Sequence, residues 1–454
     1  MSKKTKYTLV KVIVALCVVL CVVLTVFEMS ATYRFMKAAE VDGTEYSVAE
    51  YNWYYTNSVY EIYNSYYNTY GELAQYFFNP RGGLEKQVYN QETGETWADY
   101  VKDYTDASLI ELTKLYNEGK EAGFVLEDEV LEAIDAEWDA LEEIAKESGY
   151  STNAYVELSY GRGVNEKVFK GMYERYYFAM EYAAHLSESV EISAEDIDAY
   201  YSENSEKFDN VSFKSYFVSG SAAEGEDAEA AMNDAKAEAE AVLSGEKEVE
   251  FTENDYYVYS KTNTLYADWV FDSARTTGDK EMFESESGYY VVEFVGENDL
   301  HYNTVNVRHI LIAPGDSTSE ESLAAAEAKA NSLVEEWKAN GATEEAFAEL
   351  AMKNSVDSSS VNGGLYENVF KGQMTDEFED WCFDSARKVG DVEVIKTSYG
   401  YHVMYFCGEA EEYYDYVIDL SIRSEEVNNH IDALVEGVEV SDLFGSKYIG
   451  KHLA

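Results

Sequence analysis

Two stretches of this chain are nearly the same: Asp268–Arg275 reads DWVFDSAR and Asp380–Arg387 reads DWCFDSAR. The offset, 380 − 268 = 112, also relates Gly278 to Gly390, Asp279 to Asp391, Gly288 to Gly400 and Gly296 to Gly408. Self-similarity at a fixed spacing means that one supersecondary unit has been built twice, and any fold for the chain has to accommodate both copies. The fronts of the copies match as well, VSFKSYFV from Val211 answering VNVRHILI from Val305, but at an offset of 305 − 211 = 94. The second copy therefore carries 112 − 94 = 18 more residues in its middle. The modules span 211–298 and 305–409.

Within each module the hydrophobic period tells the elements apart. Val211–Val218 alternates apolar and polar residues and reads as a strand. The second module runs as a strand VNVRHILIA, a helix from about Ser322 to Asn340 and a second helix around Phe347 to Lys353. A loop NSVDSSSVNGGL follows, then GQMTDEFEDWCF entering a helix, and a closing strand TSYGYHVMYF. This order is α+β, with helices segregated from a small antiparallel sheet.

The region 41–208 before the modules reads as mainly helical. Val130, Ile134, Trp138, Leu141 and Ile144 recur at intervals of three and four, and Leu109, Leu112, Leu115 and Tyr116 mark another amphipathic helix. Ser193 followed by Asp196 forms a capping-box pattern opening SAEDIDAYYSEN. The stretch Tyr51–Tyr70, YNWYYTNSVYEIYNSYYNTY, has two readings. It is a tyrosine-rich packing face, the favoured one, or a surface for other polypeptides, since tyrosine offers large amphipathic contact area at low entropy cost. The tail 410–454 resembles the helical region in composition and is expected to pack back on it.

At the other end, Lys3, Lys4, Lys6 and Lys11 precede an apolar run from Val12 to Phe27, broken only by Thr25. Such a segment, 1–28 with its basic flank, reads as a cytoplasmic start and an uncleaved membrane anchor, with the C-terminal bulk outside the membrane. With 88 acidic against 34 basic residues and a formal charge of −54, the chain repels phosphate backbones, so a nucleic-acid partner is not expected. Its 15% aromatic content argues for a folded protein with an acidic surface, not an acidic disordered tail. Only Cys382 and Cys407 lie outside the apolar run, too few for a disulfide framework. The six histidines show no metal-ligand spacing, and no cofactor is expected. Cys382 and His402 lack the accompanying orienting group that a cysteine hydrolase would need.

In the second module RHIL, an Asp followed by Gly-Gly, GQM with a following Phe, and TSYGYH occur in one order and spacing. In these motifs the module resembles the parvulin-type peptidyl-prolyl cis/trans isomerases. The broader layout, a helical region and two such modules behind an anchor, looks like extracytoplasmic foldases of the PrsA and SurA type. The resemblance implies that the imidazole pair falls on His309 and His402, the acidic position on Asp357 and the hydroxyl on Thr397. The apolar wall for a proline ring falls on Leu365, Met374 and Phe378, and Tyr399 stands where many relatives have a serine. It also implies unfolded or newly secreted polypeptides as partners.

The chemistry suits such a set. Rotation about a peptide bond faces a barrier of roughly 18–20 kcal/mol, and X-Pro isomerisation unaided takes tens to hundreds of seconds. No covalent bond need be made or broken, so a catalyst only has to bind the twisted amide better than the planar forms. An apolar socket can grip the ring while a hydrogen-bonded polar group tunes the field around the carbonyl.

The first module has Ser215 where the second has His309, and Tyr290 where it has His402. The shorter middle is expected to omit the Asp and Met-Phe elements, leaving a module that either binds chains or spaces the domains. The loop APGDSTSEES after the first strand has no Arg or Lys cluster, so phosphoserine-proline recognition is not expected. The alternative to the isomerase is a holdase chaperone acting through the tyrosine-rich helices.

Overall fold

The computed structural model describes residues 30–223 and 227–453, and the apolar run read as an anchor lies outside them. Among the described residues no helix is long and apolar enough to cross a membrane. The chain divides into two compact units, one of residues up to Glu191 plus those from Arg423 on, the other Ile192–Ile422.

The first unit opens with a hairpin that the helical reading did not anticipate. Strands β1 (Lys37–Val41) and β2 (Thr44–Ser47) pair antiparallel. The turn is Asp42-Gly43 with both residues at positive φ, 48° and 78°, the strongest short hairpin signal a sequence can carry. A third strand, Val440–Asp442, pairs with β1 on its other side, Ala39 opposite Asp442, so the tail is tied into this unit by backbone hydrogen bonds. Helices Val48–Tyr70 and Trp97–Ala122 both start on full capping boxes, Ser47 with Glu50 and Thr96 with Asp99. With Asp128–Glu147, Thr152–Tyr160 and Glu166–Glu188 they enclose one core. Tyr51, Trp53, Tyr54 and Tyr55 are buried in it beside Leu109, Leu115 and Phe169. The first half of the tyrosine-rich helix is thus packing, whereas Tyr67 and Tyr70 near its end are exposed. Ile144 of the third helix is also exposed, and the buried residues there are Ile134, Trp138 and Ala145.

The second unit holds both modules. The first pairs β3 (Asn210–Ser219), β4 (Thr252–Val258), β5 (Lys280–Ser285) and β6 (Gly288–Glu297) in the order β4-β3-β6-β5. The second pairs β7 (Asn303–Ile312), β8 (Leu365–Val369), β9 (Val392–Thr397) and β10 (Gly400–Glu412) in the order β8-β7-β10-β9. All these pairs are antiparallel and the two orders are the same. The likeness extends to irregularities: the bulge at Val211/Phe213 recurs at Val305/Val307. Tyr256 and Asn368, related by 368 − 256 = 112, both have positive φ, 55° and 51°. The repeated DWxFDSAR motif folds alike in each copy, an Asp capping the turn onto the following Ala N–H and the Arg stacking on the motif's own Trp.

In the second module the strand alternation sorts the core into two faces. Ile310, Tyr401, Val403 and Tyr405 pack under helices Glu320–Ala339 and Glu344–Asn354. Val307, Met404 and Phe406 pack on the other side against Phe378, Trp381 and Cys382 of helix Asp376–Cys382. Cys382 and Cys407 are free and belong to opposite faces. Among the described residues, helix Glu344–Asn354 has no counterpart between β3 and β4, which is where the 18-residue difference lies.

One boundary differs from the sequence reading. Helix Ala194–Asn204, expected with the helical region to 208, belongs to the second unit because Ile197 and Phe208 pack with Leu300, Tyr413, Tyr414 and Ile418. Likewise helix Tyr413–Val435 passes from the second unit to the first at Arg423, so only the later part of the 410–454 tail belongs with the helices.

Candidate active site

His309 on β7 and His402 on β10 occupy neighbouring central strands; His309 pairs with Met404 and His402 with Leu311, so the two histidines are diagonal neighbours two register positions apart. Alternation puts both imidazoles on the face of Val307 and Met404, the face covered only by a short helix, and both are buried. Their rings stack with centroids 5.3 Å apart, and the edge of Phe378 meets each at 5.6 and 5.8 Å. The Nδ1 atoms lie 3.0 Å apart. Thr397, the last residue of β9, brings its hydroxyl 2.8 Å from His402 Nε2.

The segment absent from the first module supplies the acid. Asp357 follows helix Glu344–Asn354 and lies 3.2 Å from His309 Nε2. Its carboxylate also accepts from the Ser359 N–H at 2.8 Å, the Ser359 hydroxyl at 2.5 Å and the Tyr366 hydroxyl at 3.2 Å. Burial works to raise the Asp357 pKa, but the Ser359 hydrogen bonds and His309 outweigh it and hold the carboxyl down to about 2. Burial pushes His402 down to about 4, with His309 acting in the same direction. Burial also lowers His309, and the Asp357 charge offsets only part of that. At neutral pH the cluster therefore holds an ionised carboxylate and two neutral imidazoles, so the short His309–Asp357 approach is a hydrogen bond, not an ion pair.

These protonation states fix the direction of every bond in the chain. Ionised Asp357 can only accept, so His309 carries its proton on Nε2 and its Nδ1 is bare. His402 must then donate from Nδ1, leaving its Nε2 to accept from the Thr397 hydroxyl. The network runs one way, from Thr397 through His402 and His309 to Asp357.

In front of it opens a cleft of about 410 Å³ lined by His309, His402, Asp357, Tyr399, Met374 and Phe378, together with Leu311, Tyr366, Gln373 and Thr375. Of the residues picked out by sequence, the structure brings seven to this cleft or its hydrogen-bond network. Leu365 is the exception. Cross-strand pairing sets Leu365 opposite Arg308 and Tyr366 opposite Val307, so Tyr366 shares the face of His309 and Leu365 turns to the other side. Sequence reasoning missed Ser359 and Tyr366. Ser359 was legible as the second residue after an Asp in a Ser-rich turn, the usual Asx geometry, and Tyr366 follows from the strand period once β8 is placed. Tyr399 stands 67% exposed at the β9–β10 turn, where its N–H donates to the Thr397 hydroxyl.

Residues 294–408 match the family described as the PPIC-type PPIASE domain. The second module is a parvulin-type peptidyl-prolyl isomerase domain. Solved structures similar to the chain include the peptidyl-prolyl isomerase ESS1 from Candida albicans, 26% identical over 23% of this chain, with a TM-score of 0.20. The chain spans 63% of the length of that protein. PrsA from Bacillus subtilis is similar at 16% identity over 78% of this chain and 91% of its own, TM-score 0.31. A SurA-like chaperone from Campylobacter jejuni is similar at 17% identity over 68% and 82%, TM-score 0.18. No curated protein matches the chain.

The first module departs from the parvulin domain at most of its chemical positions, keeping a hydroxyl at Ser285 where the parvulin domain has Thr397, though not as its shorter middle suggested. The segment bearing Asp357 is missing, but counterparts of the Met-Phe pair are present at the 112-residue offset: Thr262 for Met374 and Tyr266 for Phe378. Tyr266 and Tyr290 pack ring to ring at 5.6 Å, with Phe283 against Tyr266 and Phe217 against Tyr290. An aromatic ring, Tyr290, thus occupies the place of His402, while Ser215, in the place of His309, accepts from the Asn254 amide at 3.1 Å.

Proposed function

We propose that this chain is a foldase that speeds cis/trans isomerisation of X-Pro bonds in unfolded polypeptides, using the cleft of the parvulin domain. The observation that carries this reading is the buried, one-directional network of Thr397, His402, His309 and Asp357 beside the apolar wall of Met374 and Phe378. A prolyl ring seated against Met374 and Phe378 loses water and fixes one side of the amide. The neutral imidazole pair, held by Asp357, then offers a polar surface with a set dipole direction that suits the twisted amide, whose carbonyl is no longer conjugated. Each 1.36 kcal/mol or so of preference for that geometry gives a tenfold rate gain. The roles are electrostatic and positional, and none of these residues attacks the substrate.

The cleft carries Asp357 and no Lys or Arg among its lining residues, which favours neutral or cationic X-Pro sequences over phosphorylated ones. A further chaperone role draws support from the exposed Tyr67, Tyr70, Leu73, Tyr76 and Phe77 of the first unit, an aromatic surface suited to extended apolar segments. Lys3 to Lys11 and the apolar run to Phe27 support an anchored protein whose bulk lies outside the cell membrane. The test is cis/trans exchange of an unphosphorylated X-Pro peptide followed by NMR with the whole chain. Acceleration that disappears in His402→Ala supports the proposal, and no acceleration by the folded chain refutes it.

A further inference from the structure

The loop Phe370–Thr375 supplies Gln373, Met374 and Thr375 to the cleft, so its placement sets the shape of the proline site. One side of it is held from within the parvulin domain: Glu379 accepts from the Gly372 N–H at 2.9 Å and the Met374 N–H at 2.7 Å. The other side rests on the first module. A Cβ at Gly372, which has φ +83°, would lie 2.7 Å from Cβ of Tyr256, so the two segments touch where only glycine fits. Next to it the Lys371 ammonium sits among three rings, Tyr302 at 4.8 Å, Tyr256 at 5.6 Å and Phe383 at 5.6 Å. The Lys371 N–H donates to the Tyr302 hydroxyl at 3.1 Å.

Tyr256 is an odd residue to find there. It occupies the left-handed region at φ 55°, uncommon for a bulky side chain, while its counterpart Asn368 is a type that adopts this region readily. What the ring does is cross to the neighbouring module and wall the cation of the loop that carries Met374.

We propose that the first module, emptied of its own chemistry, is a positioning element for the isomerase beside it, acting through Tyr256 on Lys371 and Gly372. Tyr256 is a positioning residue. It touches no substrate, and it restrains the loop that presents Gln373 and Met374 to the prolyl ring. The inference rests on the isomerase reading for its effect on turnover, but the restraint itself is independent of it.

The test uses the full chain with Tyr256→Gly, which deletes the ring without backbone strain, and Tyr256→Phe, which keeps ring and cation contact. Two readouts are taken: amide hydrogen exchange at Gly372 and Met374, and KM and kcat for an X-Pro peptide. The expected result for Tyr256→Gly is exchange at both amides faster by about fivefold or more, the loss of one cation–π contact. KM should rise by a similar factor of about five while kcat stays within about twofold, since the imidazole network is untouched. Tyr256→Phe should match the unmodified chain in both. Unchanged exchange and KM in the glycine variant overturn the proposal, as does an equal loss in the phenylalanine variant. A chain that never accelerates isomerisation removes the isomerase reading alone, and the exchange rates still decide whether Tyr256 holds the loop.

Discussion

The protonation states of the imidazole pair make a pH dependence that differs from that of an ordinary histidine site. With His402 pushed down to about 4, only about 3% of it is protonated at pH 5.5, whereas an unperturbed imidazole of pKa about 6.5 would be about 90% protonated. Protonation puts a hydrogen on both ring nitrogens, so His402 could no longer accept from Thr397 and the one-way chain would break. As far as His402 governs it, activity should therefore hold from pH 8 to about 5 and fall towards pH 4. An ordinary histidine would instead cost about tenfold by pH 5.5. The same shift enters stability. The folded pKa lies below the unfolded one, so the unfolded chain takes up the proton first. The contribution is whole above pH 6.5 and is lost as pH falls towards 4, amounting to about 3 kcal/mol. Depressed Asp357 acts with the same sign at still lower pH, between its ordinary carboxylate range and about 2. NMR exchange spectroscopy on a free X-Pro peptide reads the rate at every pH without a coupling protease. An inflection near pH 6.5 in kcat/KM would refute the assignment of two neutral imidazoles and with it the direction of the network.

Replacing Asp357 by Asn removes the acceptor-only group that fixes the His309 tautomer; kcat should drop about tenfold or more with KM little changed, as measured in the same assay. Met374→Ala opens the apolar wall at a half-buried position, and kcat/KM should fall about tenfold, near 1.4 kcal/mol, with an unaltered circular dichroism spectrum. Gly364 has φ +74°, and a Cβ there would come within 2.2 Å of the His309 carbonyl oxygen, so Gly364→Ala should destabilise the parvulin domain by about 3 kcal/mol, read by denaturant unfolding. Installing imidazoles in the first module with Ser215→His and Tyr290→His should leave a chain already disabled by His402→Ala inactive, because no carboxylate corresponds to Asp357; recovered exchange catalysis would contradict this.

Much of this was legible in the sequence, for definable reasons. The repeat was visible because turn glycines and the DWxFDSAR motif obey local rules, and the strands showed themselves by a period of two. His309, Asp357, Met374, Phe378, Thr397 and His402 could be named from motif spacing, and the cleft gathers them. Leu365 went astray because a one-residue change of face is set by cross-strand register, which no single strand records. The β1–β2 hairpin was overlooked although Asp42-Gly43 announced it, since the helical period of the neighbouring segments dominated the window. The partners of the tail, Ala39 with Asp442, are some four hundred positions apart in the chain, and pairing at that separation leaves no local trace. The protonation states were likewise out of reach, because they follow from burial and from Ser359 and Tyr366 gathering on one carboxylate.

The two modules separate what the scaffold needs from what the chemistry needs. Sheet order, bulge, left-handed residue, turn glycines and the Arg-on-Trp stack are common to both, so these features hold the fold and owe nothing to catalysis. The chemical positions differ: imidazoles in place of Ser215 and Tyr290, Met374 and Phe378 in place of Thr262 and Tyr266, and one inserted segment that carries a helix and Asp357. The segment matters because a buried imidazole pair alone has two equivalent directions of hydrogen bonding, and a carboxylate that can only accept selects one. Without it, burying two imidazoles would leave polar groups whose order nothing imposes, at a cost of the kind buried polar atoms incur when half satisfied. Placing Tyr290 where His402 stands and packing it on Tyr266, as the first module does, removes that cost along with the chemistry. A module in that state can keep its fold indefinitely, and its surface is then free to serve its neighbour, as the contact of Tyr256 with Lys371 and Gly372 does.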